Sequence, residues 1–341
     1  MDSFCSQAYT SKGLTAVKNQ RGRGALFTYI LKGHPTEIKN KFIFEAQNSA
    51  NCECDIDYDY NENPISLVCE GKGFCIVDGT YPCIREPETY GITDKIISLG
   101  EYQSGEILKF RKDEALRLFD EIKKEEKRCA GFISAARSVA ADCRHFEENS
   151  LNRAKINRFA AKLWKKYGTP PTGRIGTERK YFGEVITENG LQFSFEKFSR
   201  LCSNISVIND FSSAAGALIV DKIRLYALSS GYDVISFIDF LDGCTLRHVA
   251  VPELGYGIYC ERTLKAEFEN AGRIRKSRFL KEDYTENLKN RASFCKKAYS
   301  ELVEEAVKSL RFLEKSKGNL NKIYLSATDE AHFFKKNVIS A

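Results

Sequence analysis

The feature that most constrains this chain is an internal repeat. Residues 10–14 (TSKGL) recur as residues 187–191 (TENGL), a separation of 177 positions (187 − 10 = 177). Each copy is followed by a short apolar run, residues 26–31 in the first and 205–208 in the second. Apolar runs of this length are typical of buried strands, and the sequence therefore predicts the same strand in both halves.

A second pair of apolar runs supports the repeat. The run at residues 73–77 (GFCIV) ends at Asp78, and the run at residues 255–259 (GYGIY) ends at Cys260. Their separation is 182 positions (260 − 78 = 182). The five additional positions are an ordinary difference in loop length. We therefore expect these runs to form matching strands as well.

Long helical patterns follow the predicted strands in both halves. Apolar residues recur there at alternating steps of four and three, which places them on one face of a helix that must be buried. They are Ala115, Phe119, Ile122, Cys129, Ile133, Ala136, Ala140 and Cys143 in the first half, and Leu288, Ala292, Cys295, Tyr299, Leu302, Ala306, Leu310 and Leu313 in the second. Each half is therefore predicted to be an α/β body with a long helical extension.

The repeat and the chain length together predict the domain organisation. A chain of 341 residues is longer than a single hydrophobic core usually holds. The stretch at residues 168–173 (GTPPTG) is rich in turn-forming residues. We predict a first domain over residues 1–168, a linker over residues 169–179 and a second domain over residues 180–341.

Composition and charge exclude several classes of protein. Hydrophobic residues make up 43% of the chain and charged residues 29%, which excludes a disordered or fibrous protein. The net charge of +6 is spread along the chain, so nucleic-acid binding is not predicted, and residues 21–24 (RGRG) are interpreted as a flexible turn. No segment approaches the roughly 20 apolar residues of a membrane helix, and no secretion signal is visible. We therefore predict a cytoplasmic protein.

The cysteines and the acidic residues at 55–60 give no metal prediction. The twelve cysteines are interpreted as free thiols in a reducing compartment. Cys52 and Cys54 are one residue apart, and the absence of any Cys-x2-Cys pair argues against structural zinc. Residues 55–60 (DIDYDY) are interpreted as an acidic edge strand rather than a Mg²⁺ site. The sequence also lacks Gly-x-Ser-x-Gly and H-E-x-x-H motifs, and no catalytic residue is predicted.

The segment after the first predicted strand contains part of a phosphate-binding loop. The full pattern is G-x-x-x-x-G-K-[ST], in which glycines let the backbone wrap the phosphates, lysine neutralises them and the hydroxyl holds Mg²⁺. Gly33 and Lys39 have the required separation, but Ile38 replaces the second glycine and Asn40 replaces the hydroxyl residue. Asp78, at the end of its strand, is a candidate Mg²⁺ ligand. The alternatives are a surface lysine at position 39 and a capping role for Asp78.

The second half departs further from the pattern. Asp210 stands at the position of Gly33, and Gly216 stands at the position of Lys39. The segment therefore has no cation and gains a carboxylate where phosphate would lie. We expect that the second half does not bind a nucleotide.

Together these residues resemble the tandem P-loop ATPases of Gram-positive bacteria, in which two nucleotide-binding units share one polypeptide. The resemblance covers nearly the whole chain and is best at residues 30–35 (ILKGHP), 76–82 (IVDGTYP), 96–102 (IISLGEY), 231–234 (GYDV) and 251–254 (VPEL). It implies an α/β P-loop NTPase-like unit in each half, with a largely parallel sheet, flanking helices, and ATP and Mg²⁺ as ligands. By position, the resemblance implies that Gly33, Lys39 and Asn40 bind the ATP phosphates and that Asp78 binds Mg²⁺.

The incomplete loops predict a degenerate member of this family. The favoured hypothesis is a protein that does not hydrolyse ATP and acts by binding a partner protein, with the paired long helices as the candidate surface. The alternative is a weak ATP-binding protein or ATPase that uses Lys39 and Asp78 of the first half only. A third hypothesis is a binder of nucleic acid or phosphorylated ligands that uses the basic excess.

Overall fold

The computed structural model describes residues 4–17, 27–168, 171–281 and 286–337, and the side chains of residues 286–288 are not described. The predicted turn at residues 21–24, Leu26, the linker residues Thr169 and Pro170, and the side chain of Leu288 lie outside the described part. The fold is mixed α/β. Its helices are α1 (Thr36–Ser49), α2 (Gly105–Phe110), α3 (Lys112–Asn149), α4 (Arg153–Tyr167), α5 (Phe195–Leu201), α6 (Ala214–Ser229), α7 (Glu286–Ala327) and α8 (Glu330–Lys336).

The strands form two larger sheets and two short two-stranded sheets. They are β1 (Gln7–Thr10), β2 (Gly13–Ala16), β3 (Phe27–Lys32), β4 (Asp55–Tyr58), β5 (Pro64–Cys69), β6 (Phe74–Asp78), β7 (Asp94–Ser98), β8 (Glu178–Phe182), β9 (Val185–Thr187), β10 (Gly190–Gln192), β11 (Asn204–Asn209), β12 (Val234–Ile238), β13 (Leu246–Val251), β14 (Tyr256–Glu261) and β15 (Gly272–Arg275). The four strands expected from the apolar runs are β3, β6, β11 and β14, and each is confirmed.

The chain divides into two compact units. The first unit comprises Met1–Ala8, Leu14–Arg128 and Lys308–Ala341, and the second comprises Tyr9–Gly13 and Cys129–Val307. The units therefore interleave along the chain, whereas the sequence analysis divides it at residue 168. The difference arises because α3 and α7 are each long enough to contribute residues to both units.

The sheet of the first unit has the strand order β4-β5-β6-β3-β7. β3 pairs in parallel with β6 and β7, while β5 pairs antiparallel with β4 and β6. The strand β4 lies at one edge, which confirms the edge strand expected at residues 55–60. Since half of the pairings are antiparallel, the sheet is mixed rather than largely parallel. The tight turn between β5 and β6, which ends at Gly73 with φ +72°, is too short for a parallel crossover.

The sheet of the second unit repeats this order. Its strands follow the order β15-β11-β14-β13-β12-β8, which is the order of the first sheet with β8 added at the edge. The register is also kept, since Leu31 pairs with Asp78 and Ile208 pairs with Cys260. The repeat inferred from 177- and 182-residue separations is therefore confirmed in three dimensions. This sheet is mixed too, because β13 pairs antiparallel with both of its neighbours.

The apolar stripes predicted for the long helices are buried at most of the described positions, and they are half-buried at Ala115, Phe119, Ile122, Ala292 and Leu302. In the first unit Leu118 of α3 lies in one cluster with Leu320 and Ile323 of α7. In the second unit Cys129 and Ile133 of α3 are fully buried, and in the first unit Leu310 and Leu313 of α7 are fully buried.

Two further predictions are tested by the fold. Cys52 and Cys69 form a disulfide, so the expectation that all twelve cysteines are thiols is wrong for this pair, while the other ten form no disulfide. The pairing of β4 with β5 brings the two together, which their spacing in the sequence does not reveal. Within the described residues, no helix is both long and apolar enough to span a membrane.

Candidate functional site

The first unit brings Lys39 and Asp78 together at the carboxyl ends of its parallel strands. β3 and β6 are parallel neighbours, and α1 begins just after β3, so the end of β6 lies beside the first turn of α1. Lys39 Nζ lies 2.9 Å from Asp78 Oδ1 and 2.8 Å from Asp78 Oδ2. It also donates a hydrogen bond to Thr80 Oγ1 at 2.9 Å. Two of the four residues predicted to bind ATP and Mg²⁺ are therefore in direct contact.

The Lys39 ammonium group is buried, with an exposed fraction of 1%. It is therefore not the surface lysine considered as an alternative. Burial lowers the pKa of Lys39, because the charged form loses its water, and the Asp78 carboxylate opposes this shift only in part. Asp78 also accepts a hydrogen bond from the backbone amide of Thr80 at 2.9 Å. The capping role considered for Asp78 and its contact with Lys39 are thus both present.

The connection between β3 and α1 does not have the length of a phosphate-binding loop. Only Gly33, His34 and Pro35 lie between the strand and the helix, and Gly33 takes a left-handed φ of +94°. Thr36 to Lys39 are already helical, and Ile38 is buried in the core of the unit. In a working loop the residues before the lysine present their backbone amides to the phosphates. Here only Gly33, His34 and Pro35 precede the first turn of α1, so the backbone that would wrap a triphosphate is short.

Two buried polar atoms, on residues close to Lys39 in the chain, have no hydrogen-bond partner among the residues described. They are Asn40 Oδ1 and His34 Nδ1. Burial and the nearby Lys39 charge lower the pKa of His34, which stacks on Tyr324 with ring centroids 4.9 Å apart. The sequence analysis predicted Asn40 but not His34. His34 directly follows Gly33, and this position beside the predicted loop glycine was the available indication in the sequence.

The second unit places a carboxylate at the amino end of the helix that follows its central parallel strand. Asp210 follows β11 and is fully buried, and its Oδ2 accepts hydrogen bonds from the backbone amides of Ala215 and Gly216 at 2.9 and 2.8 Å. These amides belong to the first turn of α6, which has no partner for them within the helix. The helix dipole adds to the attraction, because its amino end carries partial positive charge. The Asp210 carboxylate is therefore the anion bound at the amino end of α6.

Two further charged side chains complete the site around Asp210. Lys276 Nζ lies 2.6 Å from both oxygens of Glu147 and 3.5 Å from Asp210 Oδ1. The single hydroxyl proton of Ser212 is shared between Glu147 and Asp210 Oδ1, and both carboxylates lie within hydrogen-bond distance of Ser212 Oγ. One lysine thus bridges two buried carboxylates. The sequence analysis found Asp210 but missed Glu147 and Lys276, since they come from distant segments of the chain.

Gly216 and Cys260 take the places that Lys39 and Asp78 have in the first unit. A Cβ atom at Gly216 would lie 2.7 Å from Cys260 Sγ, so the two residues are in close contact. Burial raises the pKa of Cys260 to about 12, which keeps the thiol neutral. The ion pair of the first unit is therefore replaced by an uncharged contact.

A second charged cluster lies at the carboxyl ends of β12 and β14 in the second sheet, and it was not predicted from the sequence. Arg262 Nη2 lies 2.5 Å from Asp239 Oδ2, and both residues follow the ends of strands. Arg247 donates to the Cys260 carbonyl at 2.8 Å, while its buried Nε and Nη1 have no partner in the described part of the chain. Burial raises the pKa of the neighbouring Glu184, although the two guanidinium groups oppose this shift. The sequence does contain one indication of this cluster. Asp239 directly follows the apolar run of β12, just as Asp78 follows the apolar run at residues 73–77.

Comparisons with known proteins identify no relative. No protein-family model, no curated protein and no solved structure gives a significant match to this chain.

Proposed function

We propose that this protein is a non-hydrolysing relative of the P-loop NTPases that acts by binding a partner protein. The observation that carries the proposal is the Asp210 carboxylate at the amino end of α6, bound to the amides of Ala215 and Gly216. In nucleotide-binding α/β proteins, amides at this place bind phosphate. An internal carboxylate competes for the same donors, and its negative charge repels a phosphate group.

The first unit supports the same proposal by different means. Lys39 is the cation that would neutralise phosphate, and within the described part of the chain its Nζ contacts Asp78 and Thr80. A nucleotide would have to break a buried ion pair before it could use this lysine, and breaking such a pair costs about 3–5 kcal/mol. The short connection through Gly33 also offers too little backbone to surround a triphosphate.

Partner binding is supported by a concentration of exposed apolar side chains in one loop of the first unit. The loop between β6 and β7 carries four large hydrophobic side chains that are 57–78% exposed, namely Tyr81, Ile84, Tyr90 and Ile92. Single exposed apolar residues are common, but several in one segment are typical of a protein-interaction surface. We expect the partner to present an apolar surface to this loop.

A ligand titration tests the non-hydrolysing part of the proposal. A ligand at a hundred times its dissociation constant stabilises a protein by about 2.7 kcal/mol, or roughly 5–10 °C in melting temperature for units of this size. We expect no such shift with millimolar Mg-ATP. A shift in the wild-type protein that disappears in Lys39→Met but persists in Lys41→Met would overturn the proposal. Lys41 is the matched control because it lies exposed on the same helix.

A second arm tests whether Asp210 fills an anion site. The substitution Asp210→Gly restores the residue type found at Gly33 and frees the amides of Ala215 and Gly216. Inorganic phosphate should raise the melting temperature of this variant and leave the wild-type protein unchanged. Each variant is compared with itself in the absence of phosphate, so its own loss of stability cancels. An equal response of both proteins would contradict the proposed role of Asp210.

A second candidate function, ATP binding by the first unit alone, is favoured by one observation. Asn40 Oδ1 and His34 Nδ1 are buried and lack partners in the described part of the chain. Buried polar atoms of this kind are usually satisfied by water, an ion or a ligand. The same Mg-ATP titration separates the two functions, because only this one requires a melting shift that depends on both Lys39 and Asp78.

A further inference from the structure

Three cysteine sulfurs of the first unit lie close together. Cys52 and Cys54 belong to the segment between α1 and β4, and Cys69 is the last residue of β5. Their sulfur atoms all lie within 4.8 Å of one another, and this is the single group of three potential metal ligands found in the described part of the chain. The antiparallel pairing of β4 with β5, in which Asp55 lies opposite Val68, brings the segments together.

A disulfide alone does not account for this arrangement. The bond between Cys52 and Cys69 uses two of the three sulfurs, and the third, Cys54 Sγ, lies 3.9 Å from Cys52 Sγ. Two sulfurs bound to one zinc ion at about 2.3 Å lie about 3.8–4.0 Å apart, for tetrahedral or trigonal angles. The separation of Cys52 and Cys54 therefore matches two ligands of one metal ion.

We propose that Cys52, Cys54 and Cys69, once reduced, form a three-thiolate site for a single thiophilic d¹⁰ metal ion, either Zn²⁺ or Cu⁺. Sulfur is the only donor type in the group, and such soft ligands select these ions over Mg²⁺ or Ca²⁺. Cu⁺ is satisfied by three sulfurs, whereas Zn²⁺ takes a water molecule as its fourth ligand. The proposal does not depend on the proposed function.

Metal loading takes two steps, reduction of the disulfide and then exchange of the thiol protons for the metal ion. A dithiol or phosphine reductant supplies two electrons, and two protons from the solvent or the reductant convert the Cys52–Cys69 disulfide into two thiols. One metal ion then replaces the three thiol protons, which are released to the solvent. The route for the ion is open because Cys52 and Cys54 are partly exposed, while Cys69 is buried beneath them.

The spacing of the cysteines in the sequence argues against zinc, because the chain contains no Cys-x2-Cys pair. Structural zinc sites usually take two ligands from one turn, and here the ligands are a Cys-x-Cys pair and a cysteine from the neighbouring strand. Only the strand pairing reveals that Cys69 joins the other two. The site therefore belongs to the tertiary fold rather than to a local motif.

The test is metal binding by the full chain after reduction with a phosphine and removal of the reductant. Zn²⁺ and Cu⁺ are titrated separately against a chromophoric chelator. We expect one ion per chain for at least one of the two metals, with an affinity at least tenfold lower in Cys54→Ser. The matched control is Cys244→Ser, which removes an exposed thiol of the second unit and should leave binding unchanged.

A measurement on the wild-type protein covers the case in which Cys54→Ser fails to fold. X-ray absorption of the loaded chain should count three sulfur neighbours around the metal, with one additional oxygen for Zn²⁺. A count of two sulfurs or fewer, binding that is equal in Cys54→Ser and the wild type, or no stoichiometric binding of either metal would overturn the proposal.

Discussion

Lys39 of the first unit and Gly216 of the second occupy equivalent positions, but Lys39 forms an ion pair there and Gly216 has no side chain. Each lies in the first turn of the helix that follows the central parallel strand, and each contacts a residue at or next to the end of the neighbouring strand, Asp78 or Cys260. In the first unit this place holds a buried ion pair. In the second unit the glycine leaves room for the Cys260 thiol, and the Asp210 carboxylate binds the helix amides instead.

The close approach of Gly216 to Cys260 predicts that Gly216→Ala destabilises the second unit. Alanine is the better helix former by up to about 1 kcal/mol, but its Cβ would lie 2.7 Å from Cys260 Sγ. We expect the steric cost to prevail, with a net loss of about 1–3 kcal/mol in the free energy of unfolding, measured by urea denaturation. The control is Gly131→Ala in α3, which has open space around it and should stabilise by about 0.5–1 kcal/mol.

A double-mutant cycle identifies the cause of this effect. In a Cys260→Ala background the sulfur is absent, and Gly216→Ala should cost markedly less than it does in the wild-type protein. An identical cost in both backgrounds would show that contact with Cys260 is not responsible.

The hydrogen bonds of Asp210 predict a large difference between two substitutions. Asp210→Ala leaves the buried amides of Ala215 and Gly216 without acceptors and should cost roughly 3 kcal/mol in the free energy of unfolding. Asp210→Asn retains an acceptor oxygen and removes one of two carboxylates that share Lys276, so it should cost less. Chemical denaturation monitored by circular dichroism measures both values.

Asp242→Ala is the matched control for Asp210→Ala. Asp242 Oδ1 also accepts hydrogen bonds from two backbone amides, those of Cys244 and Thr245, both at 2.9 Å. This loop is not buried, so water can replace the carboxylate, and we expect a clearly smaller loss. Equal costs for Asp210→Ala and Asp242→Ala would contradict the importance of burial at Asp210.

The mixed α/β class of the fold and four of its central strands were predictable from sequence, because the signals for them are local. The apolar runs gave β3, β6, β11 and β14, and the spacing of apolar residues gave α3 and α7. The repeat gave the equivalence of the two sheets. The antiparallel part of each sheet was missed because short strands such as β5 and β13 have no distinct period, and the interleaved units were missed because no local pattern shows which core a long helix joins.

The site was predictable only where its residues adjoin a recognised strand. Asp78 and Asp210 follow apolar runs, and Lys39 lies at a fixed distance from Gly33. Glu147 and Lys276 come from segments 129 positions apart and are joined only by tertiary structure. The position of Cys69 beside Cys52 likewise depends on strand pairing, which a one-dimensional spacing rule does not contain.

The Lys39–Asp78 pair predicts a non-additive effect on stability. Lys39→Met alone leaves the Asp78 carboxylate without its counter-charge and should cost about 3–5 kcal/mol in the free energy of unfolding. The double variant Lys39→Met/Asp78→Leu removes both charges and should recover part of this loss. Urea denaturation of the wild type, both single variants and the double variant gives the coupling energy. Purely additive losses would contradict a direct ion pair, and Lys41→Met should leave the midpoint unchanged.

The buried imidazole of His248 predicts a loss of stability at mildly acidic pH. Burial lowers its pKa well below the usual value, and the charges of Arg247 and Arg262 lower it further, so folding favours the neutral ring. A folded-state pKa below the unfolded value of about 6.5 means that its contribution is complete above pH 6.5 and is lost as the pH falls below it. The loss should approach about 1.4 kcal/mol per pH unit.

His248→Phe isolates this contribution. The variant retains a ring for stacking on Tyr259, whose centroid lies 4.3 Å from that of His248, but has no proton to bind. Between pH 6.5 and 5 its free energy of unfolding should fall less steeply than that of the wild type. Burial raises the pKa of Glu184, so this carboxyl group makes the free energy of unfolding change with pH in the opposite direction. It does so in both proteins, and the difference between their two slopes therefore removes its effect. His145→Gln, at an exposed position, should keep the wild-type slope, and parallel slopes for His248→Phe and wild type would contradict a neutral, buried His248.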